Sequence, residues 1–238
     1  MTVEFTINGV RVEAEEGESL INVARRYGFE IPSLCHHEAV EPYGACRLCL
    51  VEVERKGRKK ITTSCNYEVL PDIEVSLDTP DVIKHRKMVL ELLLAEAPAS
   101  EPLKKIAAKY GVTETRLPKN EGNDCIRCGL CARVCSEIVG VNALGFHGRG
   151  DRKEVGAPHE EPSELCIGCG ACVYVCPCDC IKMVQDGDVR EIVRWGRKLP
   201  MAKDEEGRPL APNFQLRFFS ELVDLPKDFY KKAPGTRS

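Results

Sequence analysis

Cys166-Ile-Gly-Cys169-Gly-Ala-Cys172-Val-Tyr-Val-Cys176-Pro177 carries more structural information than any other part of the chain, and its spacing already occurs 41 residues upstream in Cys125-Ile-Arg-Cys128-Gly-Leu-Cys131-Ala-Arg-Val-Cys135. Both copies read C-x2-C-x2-C-x3-C, the bacterial [4Fe-4S] ferredoxin run whose fourth cysteine serves the other cluster. A tight loop wraps three thiolates around one face of a cube while the fourth, opening a short helix, points to the neighbouring cube. This assigns Cys125, Cys128, Cys131 and Cys176 to one [4Fe-4S] cluster and Cys166, Cys169, Cys172 and Cys135 to a second. Zinc is the competing metal, but three cysteines at successive spacings of two crowd one loop with more thiolates than one zinc takes. Gly129, Gly168 and Gly170 stand between ligands, where a missing side chain lets backbone N-H groups approach sulfur or simply permits the turn. Cys178 and Cys180, just past Cys176, read as small packing residues or spare thiols.

Outward from this duplication, the chain has 238 residues and fourteen cysteines, ten of them between Cys125 and Cys180. Clustered cysteines without a secretory signal read as metal ligands in a reducing compartment and predict a cytoplasmic protein. No apolar run approaches the roughly 20 residues that span a bilayer. A formal net charge of -3 gives no support for nucleic-acid binding. Twelve ligating thiolates around three oxidised cores would take the holo-protein to about -9.

Upstream, Cys35, Cys46, Cys49 and Cys65 are spaced C-x10-C-x2-C-x15-C, which departs from the plant-type pattern. The loop Gly44-Ala45-Cys46-Arg47-Leu48-Cys49 still presents two thiolates at a turn, and four thiolates on a β-grasp frame suit a [2Fe-2S] rhomb. Zinc competes more strongly here on spacing alone. His36 and His37 are alternative ligands to Cys35, although four cysteines suffice.

Alternation over residues 3–7 and 10–14 around Asn8-Gly9 predicts a type I′ hairpin. Ser19 is placed to cap a helix carrying Leu20, Val23 and Ala24 that ends at Gly28. Leu50–Glu54 and Lys60–Ser64 read as a strand pair around Lys56-Gly57, with Ile73, Val75 and Leu77 as a last strand. The basic run Arg55 to Lys60 is a solvated hairpin tip. Asp81 is expected to cap a helix to about Ala97, followed by a short helix Leu103–Tyr110. The predicted class is α+β: a β-grasp [2Fe-2S] domain (1–78), a helical connector (79–117), a bacterial-type 2[4Fe-4S] ferredoxin-like domain (118–186) and a C-terminal arm (187–238) that docks on a partner. The arm assignment rests on its five prolines and lack of cysteine.

With these residues placed, the order of motifs resembles the small diaphorase subunit of NAD-linked nickel-iron hydrogenases and the N-terminal part of the large iron-sulfur subunit of complex I. It also resembles the N-terminal region of bifurcating iron hydrogenases. The specific pieces are Ile31-Pro32-Ser33-Leu34-Cys35-His36-His37, Gly44 through Val53, and the two [4Fe-4S] runs separated by Gly145-Phe146-His147-Gly148-Arg149-Gly150. The resemblance implies an electron relay between a flavin- and NAD(P)H-handling subunit and a terminal catalytic subunit of hydrogenase or formate dehydrogenase type. Relatives commonly carry a further cluster held by one histidine and three cysteines after the long helix; here Glu96 to Tyr110 contains neither residue type. No dinucleotide fingerprint, P-loop, nucleophile elbow or H-E-x-x-H motif is present, so flavin, nicotinamide and catalytic centre belong to other subunits. A redox-responsive iron-sulfur sensor or assembly protein is the competing class.

Overall fold

The computed structural model describes residues 1–158 and 161–225 and separates into two compact units, one ending at Cys128 and one beginning at Gly129. The division falls inside the first cysteine run, eleven residues beyond the boundary expected from sequence.

In the first unit, β1 (Thr2–Ile7) and β2 (Val10–Glu15) pair antiparallel through Asn8 and Gly9, whose φ values of 49° and 80° are those of a type I′ turn. β3 (Leu50–Arg55) and β4 (Arg58–Thr63) form a second hairpin around Lys56-Gly57. β5 (Glu74–Ser76) lies between them, parallel to β1 and antiparallel to β3, giving the order β2-β1-β5-β3-β4. Side chains at alternate positions, Val3, Phe5, Ile7, Val12, Val51, Val53 and Val75, meet Leu20, Ile21, Val23 and Ala24 of α1 (Leu20–Arg26) in one buried cluster. Each large aliphatic residue buried there contributes about 1.5–3 kcal/mol by removal from water. This is the β-grasp expected.

Two capping expectations differ. The Ser19 hydroxyl makes no cap bond; it donates instead to the Cys65 carbonyl at 2.9 Å. The long helix α2 (Pro80–Glu96) is capped by Thr79, whose Oγ1 accepts from the Val82 N-H at 3.3 Å, and Asp81 sits in its first turn. Pro80 explains the shift, because proline belongs at the first helical position and the cap precedes it. α3 (Glu101–Lys109) is capped by Ser100 and stops before Gly111, at φ 70°.

Arg86 ties α2 to the β-grasp. It is 1% exposed, and its guanidinium donates to the Leu50 carbonyl at 2.6 Å and to Asp78 at 2.8 Å. Leu50 follows Cys49 directly, so this contact fixes the start of β3 beside the cysteine loop.

The second unit opens with two short helices, α4 (Leu130–Arg133), continued by a π turn over Val134–Ile138, and α5 (Ala171–Tyr174), with a small hairpin of β6 (Gly145–His147) and β7 (Glu154–Gly156) between them in sequence. Beyond them the expected extended arm is corrected. β8 (Met183–Asp186), β9 (Val189–Ile192), β10 (Arg197–Lys203) and β11 (Pro209–Pro212) form an antiparallel sheet in the order β11-β10-β9-β8, followed by α6 (Asn213–Leu222). The prolines misled because they occupy tolerated places: Pro200 precedes the part of β10 that pairs with β11, and Pro209 and Pro212 lie on the edge strand. The rest of the expected arm, 226–238, lies outside the described residues.

Replacing Arg86 by Ala strips the Leu50 carbonyl of its donor and opens a buried void. The expected loss is about 3 kcal/mol in anaerobic urea unfolding followed by far-ultraviolet circular dichroism.

Candidate metal centres

The β-grasp brings its four cysteines together from two directions. Cys35 and Cys46 lie in the long connection after α1, Cys49 ends that connection, and Cys65 sits in the single 3-10 turn Ser64–Asn66 that follows β4. All four are buried, at no more than 4% exposure. They are drawn into two contacting pairs, Cys35 with Cys46 and Cys49 with Cys65. The Cys46 N-H donates to the Cys35 sulfur at 3.3 Å and the Leu34 N-H to the Cys46 sulfur at 3.4 Å. Ser64 donates to the Cys49 carbonyl at 2.9 Å, and Ser19 to that of Cys65, so two hydroxyls pin the second pair's backbone.

Electrostatics shows how strongly these thiols act on one another. The hydrogen bond to Cys35, and then burial, push the Cys46 thiol far above the ordinary range. Cys65 is raised in the same way by Cys49, while Cys49 falls to about 6 because the Cys65 thiol donates to it. Each pair thus holds on to a proton, since adjacent buried thiolates repel without a compensating cation. A cationic iron core removes that conflict, and two pairs of thiolates match the two irons of a rhomb, so the residues fit the group.

In the second unit Cys135, Cys166, Cys169 and Cys172 wall one cavity, together with Ile192 and Trp195. Burial pushes Cys172 up to about 12 and raises Cys135 and Cys166. The Ala143 N-H donates to the Cys135 sulfur at 3.3 Å. The indole N-H of Trp195 is buried and makes no hydrogen bond of ordinary geometry with the described residues, an orphan donor that cluster sulfur would satisfy. This set also fits its cluster.

Of the remaining set, Cys125 and Cys128 close the first unit, and Cys131 and Cys176 belong to the second. Asn123 shapes the approach to Cys125, accepting from the Cys125 N-H at 3.2 Å and donating to its carbonyl at 2.9 Å. The Cys176 sulfur stands 3.4 Å from that of Cys180, and this contact lowers the Cys176 thiol to about 6. Cys178 is buried. His36 is held by Asn22, its Nε2 lying 2.8 Å from Oδ1. Among the described residues no three His, Cys, Asp or Glu side chains converge to hold a single ion.

The two cysteine runs share a backbone requirement. The residue before the second cysteine is left-handed in both, Arg127 at φ 53° and Gly168 at φ 70°, and Gly129 and Gly170, at φ 73° and 79°, each precede the following short helix. Arg127 keeps its side chain and pairs with Glu96 at 3.2 Å. At Gly168 a Cβ would collide with the Leu199 side chain, with Pro212 next nearest. Glycine is favoured there chiefly by packing, since the same left-handed backbone carries Arg127 in the first run. Sequence reasoning missed Leu199, Arg190, Arg197, Trp195, Ser19 and Ser64, because nothing in their own spacing points to a cysteine distant in sequence; the lone tryptophan was the only visible signal.

The fold and these thiol sets define an iron-sulfur protein with a β-grasp domain followed by a two-cluster ferredoxin-like region. A family model for a 2Fe-2S iron-sulfur cluster binding domain matches residues 1–80, and one for a 4Fe-4S dicluster domain matches residues 120–183. Among relatives, the mitochondrial NADH-ubiquinone oxidoreductase 78 kDa subunit of Neurospora crassa is 34% identical, with 74% of this chain and 27% of that protein covered. The mitochondrial NADH dehydrogenase [ubiquinone] iron-sulfur protein 1 of Solanum tuberosum is 31% identical over 74% of this chain and 27% of its own. A solved NAD+-reducing [NiFe]-hydrogenase chain superposes with a TM-score of 0.58 at 29% identity, covering 66% of this chain and 75% of that one. The chain is similar to iron-sulfur subunits of complex I and of an NAD+-reducing hydrogenase, and it spans about a quarter of the length of the curated relatives it matches.

Gly168→Ala should destabilise the second unit by about 1–3 kcal/mol through left-handed strain alone, with the Leu199 collision added. Denaturant unfolding followed by loss of cluster absorbance measures it, and Arg127→Ala, at the matching position, should cost less than about 1 kcal/mol, the value of a partly exposed ion pair.

Proposed function

We propose that this chain relays single electrons through one [2Fe-2S] cluster on Cys35, Cys46, Cys49 and Cys65 and two [4Fe-4S] clusters, on Cys125, Cys128, Cys131 and Cys176 and on Cys135, Cys166, Cys169 and Cys172. The observation that carries the reading is the gathering of thiols, fully buried in the β-grasp and partly buried around the second cysteine run, into sets whose charge conflict a cationic core would relieve. When bound, each cluster supplies reversible one-electron storage.

The polypeptide contributes position and environment. Serine hydroxyls and backbone N-H groups orient the cysteine backbone and sulfurs, and apolar side chains pack around them. Among the described residues no helix is long and apolar enough to cross a membrane. The relatives, named as parts of NADH oxidoreductases and of an NAD+-reducing hydrogenase, support placing the chain in a cytoplasmic NAD(P)H-linked complex. Its partners would be a flavin-bearing subunit that handles the nicotinamide and a terminal catalytic subunit of hydrogenase or formate dehydrogenase type.

Anaerobically purified chain should contain about ten irons, from 2 + 4 + 4 per set of clusters. Dithionite should reduce it and NADH alone should not; direct NADH oxidation by the isolated chain would end the relay reading. Cys49→Ser should remove or alter the [2Fe-2S] paramagnetic signal and leave the [4Fe-4S] signals unchanged, whereas Cys169→Ser should do the reverse.

A further inference from the structure

The sheet of β8 to β11 lies almost wholly beyond the matched family regions, yet its residues are built against the second cysteine run. From β9, the Arg190 Nη1 donates to the Gly168 carbonyl at 3.2 Å. From the start of β10, the Arg197 Nε donates to the Cys166 carbonyl at 3.3 Å and its Nη2 to the Glu164 carbonyl at 3.3 Å. Leu199 and Pro212 occupy the space a side chain at 168 would need, and the Met183 thioether stands where one at 170 would reach. Trp195, in the turn between β9 and β10, is the only tryptophan of the chain. Its ring joins the wall of the cavity formed by Cys135, Cys166, Cys169 and Cys172. Its N-H is sealed from solvent and has no ordinary acceptor among the described residues.

We infer that Trp195 is a positioning residue that donates its indole N-H to the sulfur of the cluster held by Cys135, Cys166, Cys169 and Cys172 and raises that cluster's reduction potential. The inference rests on the reading that these four cysteines hold a cluster. One-electron reduction adds a negative charge to the cluster and its thiolates. A hydrogen-bond donor on sulfur, with two guanidinium groups bound to the same loop, stabilises that added charge, so the reduced form is favoured.

The test uses the intact chain with its clusters. Because there is one tryptophan, isotopic labelling of indole nitrogen marks Trp195 alone. After dithionite reduction, pulsed paramagnetic resonance should show a hyperfine coupling from the labelled nitrogen on one [4Fe-4S] signal. In Trp195→Phe that coupling should vanish and the potential of that signal should shift downward, while the [2Fe-2S] and the other [4Fe-4S] potentials stay in place. Intact [4Fe-4S] signals in the native chain without the nitrogen coupling would overturn the inference, as would an unchanged potential in Trp195→Phe. If that variant loses the cluster, the coupling in the native chain decides by itself. A native chain with no [4Fe-4S] signal would instead bring down the cluster reading, and the inference with it.

Discussion

Sulfur ligands must be buried to hold a cluster dry, yet buried thiolates repel each other. Everything else in the molecule is arranged around that conflict. In the β-grasp the four thiols pair, and within the pairs Cys46 and Cys65 are driven upward as Cys49 is driven down. An iron core carrying positive charge would relieve the conflict, and cluster binding and folding would then be coupled. The hydroxyls of Ser19 and Ser64 and the N-H groups of Leu34 and Cys46 share the same task on a smaller scale, aiming positive dipoles at sulfur or fixing the backbone that carries it.

The two parts of the chain meet the constraint differently. The β-grasp places its loop at the end of a well-packed sheet, and Arg86 anchors the first residue after Cys49 from the neighbouring helix. The cysteine runs of the second half have little core of their own, since α4 and α5 span four residues each. There the support comes from later in the chain. Arg190 and Arg197 grip the carbonyls of the second loop, and Leu199 fills against Gly168. The duplicated runs are thus alike in backbone and unlike in surroundings: where Arg127 has room for an ion pair with Glu96, the equivalent position has none for a methyl group.

Spacing made the cysteines legible, because C-x2-C-x2-C-x3-C is a local code: loop geometry alone requires thiols at those intervals. The first hairpin was equally readable from Asn8-Gly9, whose left-handed pair few other dipeptides adopt without cost. Caps were read less well. Ser19 has the chemistry of a helix cap but spends its hydroxyl on Cys65, and Thr79 displaced Asp81 because Pro80 fixes where the helix begins. The C-terminal sheet was hidden by prolines whose tolerance depends on which strand lies beside them.

Short-range spacing and alternation were enough to reveal the iron-sulfur chemistry, the duplication and the β-grasp, since each is written within a few consecutive residues. Which side chains surround the sulfurs was settled only by the fold. Trp195 and Arg197 lie far along the chain from Cys135, and only the folding of β9 and β10 onto the second loop brings them to it. Hydrogen bonding and burial act through space at a few ångströms, and that proximity is not encoded in any local pattern.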